Sequence, residues 1–208
     1  MEPAISIKGL HKFYGKLQAL DNLSLEVRAG EFFGFLGPNG AGKSTTINIL
    51  TGLSTYTQGQ VTVFGKDVIR DYREVRKLIG TVPQEFNFDD FFTVDEIMRY
   101  YAGYFGIRGH EARKRVDELL EQFDLTQKKK VDVTRLSGGM KRRLLIARAM
   151  IHNPKILIMD EPSAGVDVEL RRKIWQFMLD LNKQGTTILL TTHYIEEAER
   201  LARRIGHH

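Results

Sequence analysis

Gly37-Pro38-Asn39-Gly40-Ala41-Gly42-Lys43-Ser44 constrains the fold more than any other part of this 208-residue chain. It follows the apolar run Phe32–Leu36, which reads as a buried strand, and it precedes residues 45–50, which read as a helix opening. A strand, a glycine-rich loop and a helix in that order curl successive N–H groups toward the oxygens of a polyphosphate. The helix N-terminus adds its partial positive charge at the same place. In such a loop Lys43 reaches the β- and γ-phosphates and Ser44 offers its hydroxyl to Mg²⁺. The candidate phosphate contacts are therefore Gly37, Pro38, Asn39, Gly40, Ala41, Gly42, Lys43, Ser44 and Thr45, and a nucleoside triphosphate is the expected ligand.

The rest of the chain sets the frame for that loop. Its length allows one sizeable core, with room for an attached subdomain. No stretch approaches the apolar length of a membrane span, and the N-terminus lacks a signal-peptide pattern. Cysteine is absent, which excludes disulfides and thiolate metal sites and fits a cytosolic setting. The net charge of +5 comes from 31 basic and 26 acidic residues that are mixed along the chain. Lys128-Lys129-Lys130 and Lys141-Arg142-Arg143 are the dense basic clusters. Both read as solvated faces, so nucleic acid is not an expected partner.

Periodicity divides the chain into three parts. In the first, residues 5–7, 23–27, Phe32–Leu36 and 61–63 show alternation or short apolar runs broken by Gly30, Gly59 and Gly65. Residues 67–78 suit a short polar helix and residues 78–82 another strand. In the middle part, Thr93 and Glu96 form a capping box ahead of Ile97, Tyr100, Tyr101, Tyr104 and Phe105 at helical spacing. Residues 111–123 make a second amphipathic helix, so this part reads as an inserted helical subdomain. In the last part, Met140, Leu144, Ala147 and Ile151 form a helix stripe ended by Asn153-Pro154. A strand at 156–159, a helix at 169–181 and a strand at 187–191 follow, and Arg203-Arg204-Ile205 begins another strand. Strand–helix alternation with apolar strands predicts a mostly parallel sheet covered by helices, an α/β fold.

Two further segments are expected near the phosphates. Ile156-Leu157-Ile158-Met159-Asp160-Glu161 is an apolar strand that delivers two carboxylates to the ligand-binding edge of a parallel sheet. Asp160 suits the Mg²⁺ shell, and Glu161 is placed to orient and deprotonate an attacking water. In Leu136-Ser137-Gly138-Gly139-Met140, Ser137 reads as a helix cap whose two following glycines expose backbone N–H groups to an anion. Each glycine costs the helix roughly 1 kcal/mol against alanine, which suggests a close backbone approach.

Taken in order, the loop at 37–44, Gln84, the segment at 136–140, the strand end at 156–161, residues 164–167 and His193 resemble the motif set of ABC-transporter ATPases. The resemblance runs from Tyr14 to His193. It implies a P-loop NTPase with an N-terminal antiparallel β-subdomain and an inserted helical subdomain. The implied single domain covers 1–208: the β-subdomain and phosphate-binding core at 1–88, the helical subdomain with its signature at 89–150, and the remaining core at 151–208. It further implies ATP and Mg²⁺ as ligands and a head-to-tail dimer, expected to be a homodimer. There Ser137, Gly138 and Gly139 contact the γ-phosphate held by the other copy. Tyr14 matches the aromatic that stacks on adenine, and Gln84 matches the residue that touches Mg²⁺ and links the site to a membrane partner. Asp167 matches the aspartate that stiffens the dimer interface, and His193 the histidine on the γ-phosphate.

The implied activity is ATP hydrolysis in a subunit that powers an exporter, peripheral on the cytoplasmic face of the membrane beside a transmembrane permease. Lys43, Gln84, Glu161 and His193 form the catalytic set, and Ser44, Gln84 and Asp160 the metal set. The competing readings are a soluble ABC ATPase acting on ribosomes or DNA and a non-ABC P-loop kinase or GTPase. Met140, in place of a frequent glutamine, is similar to ABC-2-type exporters. Ser163 replaces a more frequent threonine. The family continues through further strands beyond His193, so the chain is expected to be a partial one, with C-terminal strands missing. Phe86, Phe88, Phe91 and Phe92 either receive a short helix of the membrane partner or pack the helical subdomain.

Overall fold

The computed structural model describes residues 2–38, 40–88 and 91–207. Its elements begin with β1 (Ile5–Tyr14), β2 (Leu17–Val27), β3 (Phe32–Leu36), α1 (Lys43–Leu50), β4 (Gln58–Val63), β5 (Lys66–Asp67), α2 (Tyr72–Leu78) and β6 (Ile79–Val82). They continue with α3 (Val94–Tyr104), α4 (Gly109–Gln122), α5 (Gly138–Ala149), β7 (Ile156–Asp160), α6 (Val168–Lys183), β8 (Thr187–Thr192), α7 (Ile195–Leu201) and β9 (Arg204–His207). One sheet is antiparallel, in the order β2-β1-β4-β5; the other is wholly parallel, in the order β6-β7-β8-β3-β9.

The inner strands β3 and β7 are almost wholly apolar because both faces of the sheet are covered. Successive side chains alternate, so Phe32, Leu157, Met159, Ile188 and Leu190 pack into the core on one side of the sheet. Helices α3, α4, α5 and α6 supply the rest of that core, through Met98, Leu119, Leu145 and Met178 among others. Phe33, Phe35, Ile156, Ile158 and Leu189 enter the second core, which α1 and the antiparallel sheet complete with Ile47, Leu50, Ile7 and Val61. All five strands point the same way, so their C-terminal ends share one edge, where ligands bind in sheets of this kind.

Local chemistry sets the element limits. Thr93 Oγ1 accepts from Glu96 N–H while the Glu96 carboxylate accepts from Thr93 N–H, the capping box read from the sequence. Ser137 Oγ accepts from Met140 N–H to open α5. Residues 68–71 form a turn rather than helix, because Asp67 Oδ1 takes the N–H groups of Ile69 and Arg70; α2 therefore starts at Tyr72. Strands β1 and β2 run longer than their apolar pattern, with three register shifts between them. Arg204 and Ile205 do enter a strand, β9, which pairs with β3, whereas Arg203 lies just before it.

The basic cluster at 141–143 is not a solvated face. Arg142 is only 2% exposed, and Arg143 donates to the carbonyl oxygen of Phe123. Periodicity does not reveal this, because residues 144–149 are all buried and only the first turns of α5, at 138–143, are partly open to water. In the other cluster, Lys129 pairs with Asp117 and Asp95, and the hydrogen bond that it donates to Asp117 raises its pKa.

Candidate functional site

The segments that follow the C-terminal ends of β3, β6 and β7 converge on a cleft of about 450 Å³. Its walls are Tyr14, Leu17, Gln18, Ala19, Gly40, Gly42, Lys43, Ser44, Thr45, Gln84 and Glu161. Gly42 caps α1 in the left-handed region at φ 79°, a conformation that suits glycine. Lys43 is buried, and its Nζ donates to the carbonyl oxygens of Gly37 (2.6 Å) and Pro38 (3.0 Å). Its ammonium therefore lies across the loop, with Ala41 N–H closing the turn onto Pro38 O. Asn39 lies outside the described residues.

Asp160 ends β7, and the Thr191 hydroxyl of β8 donates to its Oδ1. Burial pushes the Asp160 carboxyl above the ordinary aspartate range. The Thr191 hydrogen bond opposes that shift, neighbouring Glu161 adds to it and Lys43 opposes it. A cation at this point would favour the charged form.

Glu161 lies one residue past the strand, at φ 45°. A non-glycine residue there carries strain of roughly 1 kcal/mol or more. The strain is held by its N–H on Thr191 O (3.0 Å) and by both carboxylate oxygens. Gln84 Nε2 donates to Oε2 at 3.2 Å, and His193 Nδ1 lies 3.0 Å from Oε1. Three segments distant in sequence thus meet on one carboxylate.

Tyr14 is 46% exposed at the cleft's other end, with its hydroxyl 3.4 Å from Ser54 Oγ and Lys12 Nζ over its ring. Among the described residues, Ser137, Gly138, Gly139 and Asp167 line no part of this cleft. Asp167 Oδ1 caps α6 through Leu170 N–H at 2.8 Å. A methyl group on Gly139 would meet Leu170 Cδ2 at 2.9 Å, so its close neighbour is its own chain, whereas Gly138 faces open space.

Sequence reasoning missed Thr191, whose signal was a hydroxyl at a strand end two residues before His193. It also missed Arg142, which shares a helix face with Leu145, Ile146 and Ala149. Of the four phenylalanines, Phe88 and Phe92 pack against the helical core while Phe86 (41%) and Phe91 (92%) are exposed. A groove of about 540 Å³ lies nearby, between β6 and α3, walled by Arg76, Tyr100, Tyr104, Phe105, Arg148 and His152 among others.

The glycine loop on a parallel sheet, the antiparallel subdomain and the paired acids at the end of β7 define a P-loop NTPase of the ATP-binding-cassette type. A family model described as ABC transporter matches residues 20–164. The chain belongs to the ABC transporter family. It is 45% identical over 199 residues to the Nod factor export ATP-binding protein I of Ralstonia nicotianae, covering 96% of this chain and 62% of that one. The protein of the same name in Cupriavidus metallidurans is 43% identical over 205 residues, covering 99% and 68%. The chain thus spans about two thirds of the length of these curated relatives. Among solved structures, an ATP-binding subunit of an ABC transporter superposes with TM-score 0.88 at 28% identity, covering 98% and 85%. An ATP-binding cassette solved as a dimer in a post-hydrolysis state with ADP and Pi also gives 0.88, at 33% identity, covering 98% and 93%.

Proposed function

We propose that this chain hydrolyses ATP to ADP and phosphate and that the hydrolysis drives an exporter. One observation carries the reading: the Glu161 carboxylate, on strained backbone, is held by both Gln84 and His193 at the cleft that Lys43 and Ser44 line. In this reading Glu161 takes the proton of the water that attacks the γ-phosphorus, and ADP leaves with the broken P–O bond. Lys43 exchanges its two loop carbonyls for phosphate oxygens, and the loop amides from Gly40 to Thr45 spread the developing charge. His193 fixes the γ-phosphate relative to Glu161. Tyr14 stacks on the adenine.

The residues present suit Mg²⁺. Ser44 offers a hydroxyl, Gln84 an amide oxygen and Asp160 a supporting carboxylate, all hard oxygen donors. Among the described residues, no cluster of three acidic or imidazole groups occurs. When bound, Mg²⁺ neutralises charge on the β- and γ-phosphates.

The proposed assembly is a head-to-tail homodimer beside a membrane permease, on the cytoplasmic face. Ser137, Gly138 and Gly139 stand away from their own cleft, with Gly138 open, and so suit the γ-phosphate of a second copy. Asp167 holds the neighbouring turn at that interface. The aromatic groove beside Gln84 suits a helix of the permease. The export proteins among the relatives support transport over a ribosomal or DNA role. Among the described residues no helix is long and apolar enough to cross a membrane.

Gel filtration of Glu161→Gln with and without Mg-ATP, alongside phosphate release, tests this reading. The expected result is loss of hydrolysis with a nucleotide-dependent shift from monomer to dimer, abolished by Ser137→Arg. Wild-type hydrolysis by Glu161→Gln would overturn it.

A further inference from the structure

Two arginines of α5 reach the loop that carries Gln84. Arg142 Nη1 donates to Pro83 O at 2.9 Å and Nη2 to Gln84 O at 2.9 Å. The Phe86 ring covers the guanidinium, 5.0 Å from its carbon, and Nε has no hydrogen-bond partner among the described residues. Two turns on, Arg148 donates to Asn87 O at 3.3 Å between the rings of Phe88 and Tyr101.

Among the described residues no carboxylate pairs with Arg142. A buried cation held only by carbonyl dipoles and a ring carries a desolvation cost that a methionine or leucine of similar reach would avoid. What only arginine supplies is a rigid fork with two parallel N–H donors. Here the fork engages two successive carbonyls, so the peptide planes on both sides of the Gln84 α-carbon are fixed. From that anchored backbone the Gln84 side chain reaches Glu161 Oε2. At its other end, α5 opens on Ser137, Gly138 and Gly139, less than two turns from Arg142.

We propose that Arg142 is a positioning residue: it locks α5 to the Gln84 backbone, so that the Ser137-Gly138-Gly139 turn and Gln84 move against Glu161 as one unit. A contact made on the first turn of α5 is thereby transmitted to the carboxylate through one guanidinium. The proposal rests on the reading that Gln84 and Glu161 serve ATP hydrolysis.

A double-mutant cycle between Arg142 and Gln84 tests it, with kcat and KM for Mg-ATP measured by phosphate release and folding followed by thermal melting. Arg142→Met is expected to lower kcat about tenfold while KM stays within threefold. In a Gln84→Ala background the same substitution should lower kcat no more than twofold further, because its effect passes through Gln84. The cycle is run in parallel with Arg142→Lys, whose ammonium keeps charge and stem but cannot span both carbonyls, so it decides the matter if the neutral variant does not fold. Effects that multiply independently in the two backgrounds would overturn the proposal, as would a KM rise matching the kcat loss. Independent effects with Glu161→Gln inactive sink only the role of Arg142; an active Glu161→Gln sinks the hydrolysis reading beneath it.

Discussion

His193 Nδ1 lies 3.0 Å from Glu161 Oε1, joining the loop after β8 to the residue after β7. The His193 ring also lies against Tyr194, with centroids 4.0 Å apart. The imidazole is thus steered from two sides before any phosphate arrives. His193→Ala is expected to lower kcat about 100-fold with KM for ATP within threefold, since it removes orientation and leaves the loop contacts intact. Steady-state phosphate release against ATP concentration checks this, and a KM rise with unchanged kcat would contradict it.

The Thr191 hydroxyl is one of two groups that work against the burial-driven rise of the Asp160 pKa, the other being Lys43. Thr191→Val removes that hydrogen bond and should raise the pKa further. The acid limb of the kcat/KM profile then moves to higher pH, and the Mg²⁺ needed for half-maximal rate rises. An unmoved acid limb would show that Asp160 does not govern it.

His152 stacks on Phe105 and donates Nε2–H to Ile79 O, while burial lowers its pKa from 6.5 to about 4. Nearby Arg115 adds to the lowering, and the bond to Ile79 opposes it. As pH falls below 6.5 the unfolded chain therefore takes up the proton first. The stabilisation is full above that pH and is lost as pH falls toward 4. Discounted for partial exposure, the loss is about 1–3 kcal/mol. Urea melts at pH 7 and 4.5 should show a smaller acid loss for His152→Gln, which keeps a donor and gains no proton. Equal losses in both chains would refute the assignment.

Because Gly138 faces open space, an added methyl group meets nothing in its own chain. Gly138→Ala should leave the melting temperature unchanged or raise it by a few degrees at most. Hydrolysis should nevertheless fall at least tenfold, and Glu161→Gln combined with Gly138→Ala should stay monomeric with ATP. Unchanged turnover would place the second copy's phosphate elsewhere.

The strand–loop–helix at 32–50 and the strand end at 156–161 were legible because each is contiguous and its chemistry follows its spacing. The ladder from Gln84 through Glu161 to His193 was legible only as separate candidates; that all three share one carboxylate depends on the order of strands in the sheet. Arg142 was hidden for another reason. Helical periodicity sorts side chains by polarity, and a cation spent on backbone carbonyls has the polarity of the surface and the position of the core. Strands β1 and β2 exceeded their apolar pattern because exposed residues such as Leu17 and Gln18 are held by pairing to Tyr14 and Phe13, which leaves no periodic trace.

Strand β3, which launches the phosphate loop, lies between β8 and β9, and these come from residues 187–207. During synthesis the loop is therefore made long before its seat exists. At ordinary ribosomal speeds the interval is on the order of ten seconds, during which β3 has neither of its neighbours. Nucleotide cannot guide the early stages of folding in such a chain. In the reading proposed above, capture of ATP then becomes a late event, possible only once the sheet has closed around the strand that began it.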